Sequence, residues 1–373
     1  MSHRMTKTSM ALAAVICLAV AGRAADVKTM VKELFAVPST TGHEGALAAR
    51  IRVLLPRGTT VETSGLGTIA VRLPGRTGPT LLLAGLDGYG HMVSGITPEG
   101  YLTLDRPVPA PNAGFDAFLL GQPVVISTAK GPVQGVVAQP AMHLLTPERR
   151  KALVENFALE TAFVDIGARS GREALARGVA LLDPVTYPAI LTELSGNCWA
   201  GPGLGQKAVA AVLAAAAGEA SGRTGGDETV IAWAAQTKFL VRGRGLRPPV
   251  GAAQAMALWR PRRAVIVDTV AAGRAGGFPV LGGGPAVLRA DAAGSRGLAR
   301  AFEEEAAAAG LACQSGVGPA SPLRVPFAEL AENCLTLALP VEFLNTPSEV
   351  VSLKDIEALR DLLVRFLHAG AER

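Results

Sequence analysis

The sequence has no internal repeat, no low-complexity linker, no Cys-x-x-Cys pair and few histidines, and each lack narrows what the chain can be. Its 43 glycines and 25 prolines are scattered among apolar runs, so they mark turns and not a disordered tract. Beyond the N-terminal segment the cysteines are Cys198, Cys313 and Cys334, an odd and widely spaced set. One disulfide is compatible with that set, and none can be deduced from it. Charge is also scarce: the formal +5 falls to +2 once Arg4, Lys7 and Arg23 are removed with residues 1–24. So small a charge gives no electrostatic case for nucleic acid, and the pairs and clusters at Arg242 and Arg244, and at Arg260, Arg262 and Arg263, read as solvated surface.

What is present is enough apolar residue to build a large core. In 373 residues, 49% are apolar and 18% charged, which suits one large or two medium domains. Arg4 and Lys7 precede the apolar run Met10 to Ala21, which closes in small residues around Ala24 and Ala25. That is the layout of a cleavable signal peptide, and the run is short for a membrane span of about 20 residues. The expectation is export to a secreted or periplasmic location, with no membrane association after cleavage.

Downstream, helices are expected from about Val27 to Ala36 and Glu44 to Leu55, with Thr41 capping the second and Glu44 completing a capping box. Apolar strands follow at 67–73 and 80–84, the second suited to the middle of a sheet. Between about 94 and 195 short strands alternate with Gly and Pro turns, which reads as an inserted β-rich module. Helices and strands then alternate to the end, including the Ala-rich helix 205–217 and amphipathic helices over 296–309 and 353–368. The pattern predicts a three-layer α/β/α sandwich with a mixed, mostly parallel sheet, over 26–93 and 196–373, carrying a small β-barrel-like domain. Sites in such sheets form beyond the carboxyl ends of the strands, where Asp87 and Asp268 fall.

Four spaced segments resemble the M42 family of aminopeptidases. Pro38-Ser-Thr-Thr-Gly-His-Glu44 is similar to the family's PG-x-SG-x-E turn, and Leu81 to Val93 to its apolar strand followed by H-x-D-E-x-G-F-M-V. Val164 to Ser170 with Glu173 and Ala174 is similar to DIGA-x-S-x-EEA, and Pro347-Ser-Glu349 to the tail HSP-x-E. The resemblance implies an aminopeptidase with two metal ions, zinc or cobalt, assembled into homo-oligomers through the inserted module. Two ions would activate water and hold the substrate amine and carbonyl, with a carboxylate as general base.

Carried over position by position, that machinery is mostly replaced. The first metal-binding His falls at Gly85, the bridging Asp at Gly201, the general base at Thr237, its neighbouring ligand at Lys238 and the last His at Asn345. Asp87 and Asp268 persist and are the residual metal candidates. No catalytic set is intact, and no metal or other cofactor is expected; Lys238 is expected to place an ammonium between Asp87 and Asp268, substituting for the metal's charge. His91, four residues past Asp87, reads as a packed histidine and not as a relocated ligand. The leading expectation is a catalytically impaired homo-oligomer that keeps a peptide-binding cleft. Alternatives are an active enzyme with one zinc or cobalt ion held by Asp87, Asp268 and a recruit such as Glu342 or Glu349, and a structural subunit that assembles with an active paralogue.

Overall fold

A computed structural model describes residues 26–138, 142–155, 157–223, 225–241, 247–273, 278–289, 295–319 and 321–372. The expected signal peptide at 1–24 lies outside them, as do Arg242 and Arg244. The chain opens with α1 (Val27–Phe35) and α2 (Gly45–Leu54), then β1 (Val61–Thr63), β2 (Ile69–Leu73) and β3 (Thr77–Gly85). Six strands follow: β4 (His91–Ile96), β5 (Leu102–Asp105), β6 (Pro123–Thr128), β7 (Gly131–Ala138), β8 (Phe163–Asp165) and β9 (Pro184–Thr186), with α3 (Pro147–Glu155) and α4 (Gly171–Ala176) among them. After β10 (Thr192–Leu194) and β11 (Cys198–Gly201) come α5 (Leu204–Glu219), β12 (Asp227–Ala234), α6 (Val250–Trp259) and β13 (Arg263–Ala271). The remainder is β14 (Ala286–Arg289), α7 (Arg296–Ala309), β15 (Gln314–Val317), β16 (Cys334–Val341), β17 (Glu349–Ser352) and α8 (Leu353–Glu372).

Eight strands form one sheet in the order β1-β2-β12-β3-β13-β16-β14-β15. Its centre, β12-β3-β13-β16, is parallel, while β1, β2 and β14 pair antiparallel to their inner neighbours. The period of two in each central strand sends alternate residues to opposite faces. Leu82 and Ala84 of β3 enter the core under α1, α5 and α8, and Leu81 and Leu83 enter the one under α6. Both faces are therefore covered, which is why these strands read as unbroken apolar runs. The run of alanines in α5 lets the buried helix lie close on the sheet, where the Trp233 indole N–H donates to the Ala210 carbonyl at 3.1 Å.

β4 to β9 close into an antiparallel barrel, β4-β5-β8-β7-β6-β9, around Val93, Leu102, Val124, Ile126, Val137 and Val164. The boundary expected at 94 falls within β4, whose pairing with β5 and β9 begins before it. Outward-facing Tyr101, Val136 and Phe163 remain 39%, 44% and 41% exposed. Among the described residues no disulfide joins Cys198, Cys313 and Cys334. The capping box is not formed: Thr41 gives its hydroxyl to Asp87, and Glu44 is itself the N-cap, with its carboxylate accepting from the Gly42 and Gln236 N–H groups at 2.9 Å each.

Candidate functional site

The carboxyl ends of β3, β12, β13 and β16 bring Gly85, Asp87, Thr237, Lys238 and Asp268 to one end of the sheet, as the parallel topology requires. Beside them lies a cleft of about 320 Å³ between the α/β body and the barrel. Its lining includes Ser39, Tyr89, Lys207, Lys238, Asn345 and Glu349, against apolar walls from Phe35, Phe115, Phe118 and Leu344. A larger cavity of about 880 Å³ opens at the opposite, amino ends of the strands, beside Arg76, Arg223 and Arg263. Of the residues singled out in the sequence it gathers Arg263 alone, read there as solvated surface, and none of the candidate site residues, so the chemistry is sought in the smaller cleft.

Asp87 is fully buried, and each of its oxygens accepts two hydrogen bonds. Oδ1 accepts from the Thr237 backbone N–H at 2.8 Å and the Thr237 hydroxyl at 2.6 Å; Oδ2 accepts from the Thr41 hydroxyl at 2.8 Å and the Lys238 backbone N–H at 3.0 Å. An ionised carboxylate has about four lone-pair positions, and here all are used. The residue is a clamp that joins the end of β3 to the segment after β12 and to the turn before α2. Asp268 accepts half as many, one on each oxygen: from the Ser321 hydroxyl at 2.5 Å and from the Thr269 N–H at 2.8 Å.

The glycines at two positions where the resemblance expects metal ligands are closely packed. A Cβ on Gly85 would stand 2.9 Å from the Thr237 hydroxyl and 3.2 Å from the Gln206 amide nitrogen. One on Gly201 would stand 2.5 Å from the tip of the Phe35 ring. The space that longer side chains would need is thus held by Thr237, Gln206 and Phe35. Asn345 takes a left-handed backbone, φ 61°, and donates its N–H to Glu349 at 2.9 Å.

Lys238 differs from the expectation. Its ammonium lies over the Tyr89 ring, 5.3 Å from the centroid, and among the described residues it forms no ion pair with Asp87 or Asp268. Only its backbone N–H reaches Asp87, because the strand end aims the side chain into the cleft. Burial pushes this amine down, and the fields of Asp268, Asp87, Tyr89 and Glu349 together more than offset it, so its pKa is raised and the charge is kept. The short contact expected between this ammonium and the two carboxylates is not formed.

Two titratable groups stand out in the cleft: Glu349, named in the sequence only as a possible recruited metal ligand, and Lys207, not singled out there at all. Glu349 is buried and accepts from the Gly205 and Asn345 N–H groups at 2.9 Å each; burial pushes its carboxyl up to about 7 despite those bonds. Lys207 is buried in α5. Its amine donates to the Val37 carbonyl at 2.7 Å and to the Ser39 hydroxyl, and burial pushes it down to about 7, against the field of Asp87. A Lys in an Ala-rich apolar helix was a readable signal for the second. His91 is packed as expected, stacked on Phe115 with centroids 5.2 Å apart, its Nε2 3.0 Å from Asp116.

A family model described as M42 glutamyl aminopeptidase matches residues 67–362. FrvX of Escherichia coli (strain K12), provisionally assigned as an aminopeptidase, is 26% identical over 335 residues, 85% of this chain and 88% of that protein. Among solved structures, the TET1 peptidase of Pyrococcus horikoshii, which assembles into a tetrahedron or a large octahedral shell, superposes with a TM-score of 0.79 at 25% identity over 92% of this chain and 99% of its own. A TET aminopeptidase from a marine-sediment Thaumarchaeota archaeon gives 0.79 at 24% identity over 93% of this chain and 99% of its own.

These matches correct the cofactor expectation. M42 aminopeptidases are metal-dependent, with co-catalytic zinc or cobalt, so the expectation of no cofactor is overturned for a chain of this kind. The donor set nevertheless differs from the one such ions use. Among the described residues no three His, Cys, Asp or Glu side chains are grouped to hold one ion, and the lone pairs of Asp87 are all engaged by protein donors. The residues at this place do not fit a bridged pair of ions.

Proposed function

Because this chain belongs to the M42 family of glutamyl aminopeptidases, we propose that it is an exported member in which peptide hydrolysis is impaired and the substrate cleft is kept for binding. The observation that carries this reading is the engagement of Asp87 by four protein donors, together with Thr237 at the general-base position. A threonine hydroxyl that donates to a carboxylate holds its own proton and has no basic form near neutral pH with which to draw a proton from water. Close packing around Gly85 and Gly201 supports the same reading, since the space a ligand side chain would need is taken by packed side chains instead of being left open.

The cleft supplies what binding a short peptide needs: apolar walls from Phe35, Phe115 and Leu344, with Lys238, Asn345 and Glu349 as polar anchors. Assembly into a homo-oligomer is supported by the shells formed by TET1 and by the exposed Tyr101, Val136 and Phe163 on the barrel. Export rests on the charged, apolar and small-residue sequence of the first 25 residues.

Release of p-nitroaniline from a panel of aminoacyl p-nitroanilides, with and without added zinc or cobalt, tests the catalytic part. Turnover at least about 10³-fold below that of an ordinary enzyme, near 10 per second, is expected. Turnover at that ordinary rate sinks the proposal. Light scattering that returns a monomer at micromolar concentration would overturn the assembly, and an uncleaved N-terminus on protein recovered from its native host would overturn the export.

A further inference from the structure

Lys207 is out of keeping with its surroundings. From Ala208 to Gly218 α5 is built from Ala, Val, Leu and Gly alone, and its residues from Leu204 to Gly218 are almost all buried, yet Lys207 places an amine among them. Among the described residues no carboxylate is bonded to that amine. Its acceptors are the Val37 carbonyl at 2.7 Å and the Ser39 hydroxyl, and Ser39 in turn donates to the Leu86 carbonyl at 2.9 Å. A buried ammonium without an ion partner is costly, which is why burial brings Lys207 down to about 7. Near neutral pH a large share of these amines carries a lone pair within reach of a hydroxyl.

Both side chains belong to residues that line the cleft. Holding the segment after α1 against α5 would account for the bond to Val37, but it needs no hydroxyl partner. A hydroxyl within hydrogen-bond reach of an amine of lowered basicity is the arrangement that activates a serine. The same cleft also receives the Lys238 ammonium, which stays charged and has no hydrogen-bond acceptor among the described residues. That is a cation available to a developing oxyanion.

We propose that Ser39 and Lys207 form a nucleophile and base that hydrolyse small esters with apolar acyl groups in this cleft, an activity separate from the family's metal chemistry. The Ser39 hydroxyl first turns from the Leu86 carbonyl to the lone pair of the neutral Lys207 amine, and its Oγ then forms a bond to the ester carbonyl carbon as its proton passes to Lys207 Nζ. The tetrahedral intermediate collapses, the carbon–oxygen bond to the alcohol breaks, and the Lys207 ammonium returns the proton to the departing alkoxide. Water then attacks the acyl-Ser39, giving its proton to Lys207, and the same proton restores the Ser39 hydroxyl as the carboxylic acid leaves. Phe35, Phe115, Phe118 and Leu344 provide the apolar wall for the acyl group.

The test is labelling with an alkyl fluorophosphonate, in which the Ser39 oxygen bonds to phosphorus and fluoride departs, read by intact mass and peptide mapping. One adduct per chain on Ser39 is expected, forming about tenfold faster at pH 8 than at pH 6, as a base with a pKa of about 7 requires. Ser39→Ala should abolish it and Lys207→Met should slow it by about 10²-fold or more. Failure to label Ser39 in the wild type at pH 8, or an equal rate in Lys207→Met, overturns the proposal. Should Lys207→Met fail to fold by circular dichroism, Lys207→Gln replaces it and the wild-type pH profile decides; a rate independent of pH refutes Lys207 as the base. Neither outcome bears on the p-nitroanilide assay, so the two readings fail separately.

Discussion

Replacing Asp87 by Ala is the most direct probe of the site, because the same residue as a spare metal ligand and as a structural clamp predicts opposite results. A free, buried carboxylate costs stability, so its removal would be neutral or favourable. The structure instead gives it four donors, and the substitution strands the N–H groups of Thr237 and Lys238 along with two hydroxyls. Hydroxyls can rotate to other acceptors, but the backbone N–H groups cannot move without breaking the strand end. At about 1–3 kcal/mol for each stranded N–H, the loss is about 2–6 kcal/mol, and relief of the buried charge returns part of it. The expected net loss is about 3 kcal/mol. Urea unfolding followed by circular dichroism should show a lower midpoint with an unchanged slope. Asp268→Ala, which strands one hydroxyl and one N–H, should cost about half as much. A loss below about 1 kcal/mol for Asp87→Ala would refute the clamp and return Asp87 to the list of available ligands.

Restoring a carboxylate at Gly201 should cost about 1–3 kcal/mol, since its Cβ meets the Phe35 ring at 2.5 Å. In a double-mutant cycle Phe35→Ala should recover at least half of that; additive losses would show that the ring is not what occupies the place. The two shifted groups in the cleft carry opposite pH signatures. Lys207 is lowered from 10.5 to about 7, so the unfolded chain binds more protons above neutrality, and this residue makes stability rise between about pH 7 and 10.5. Glu349 is raised from 4.5 to about 7, so the folded chain binds more protons, and this residue makes stability fall between about pH 4.5 and 7. Relative to wild type, Lys207→Met should flatten the first slope and Glu349→Gln the second, by unfolding at stepped pH; unchanged slopes would mean that both groups titrate normally.

Much of the fold was legible in the sequence because it rests on local periodicity. The continuous apolar runs of β3, β12, β13 and β16 can only be covered on both faces, and the amphipathic patterns of α7 and α8 supply part of the cover. The end of β3 just before Asp87 follows from where its apolar run stops, whereas Asp268, expected at a strand end, lies within β13, which continues in register with β16 to Ala271. Thr41 shows where local reading fails: its spacing to Glu44 fits a capping box, but a buried carboxylate arriving from the end of β3 offers its hydroxyl a charged acceptor.

The candidate site divides in the same way. That Gly85 and Gly201 offer no ligand and Thr237 no carboxylate is decided by the sequence alone, since a glycine has no side chain to ligate with and a threonine cannot serve as a carboxylate base. Which groups took over was decided only by the tertiary structure. Lys238 and Asp87 meet in the segments that follow β12 and β3, yet the ammonium goes towards Tyr89 and leaves the backbone N–H to bind the carboxylate. Ser39 and Lys207 lie 168 residues apart, and no spacing rule joins a turn after α1 to the first turns of α5. Composition and periodicity fix which faces must be buried. The partner of a buried polar group depends on which distant segments the packing brings within about 3 Å, a distance at which one strand register or one helix rotation changes the answer.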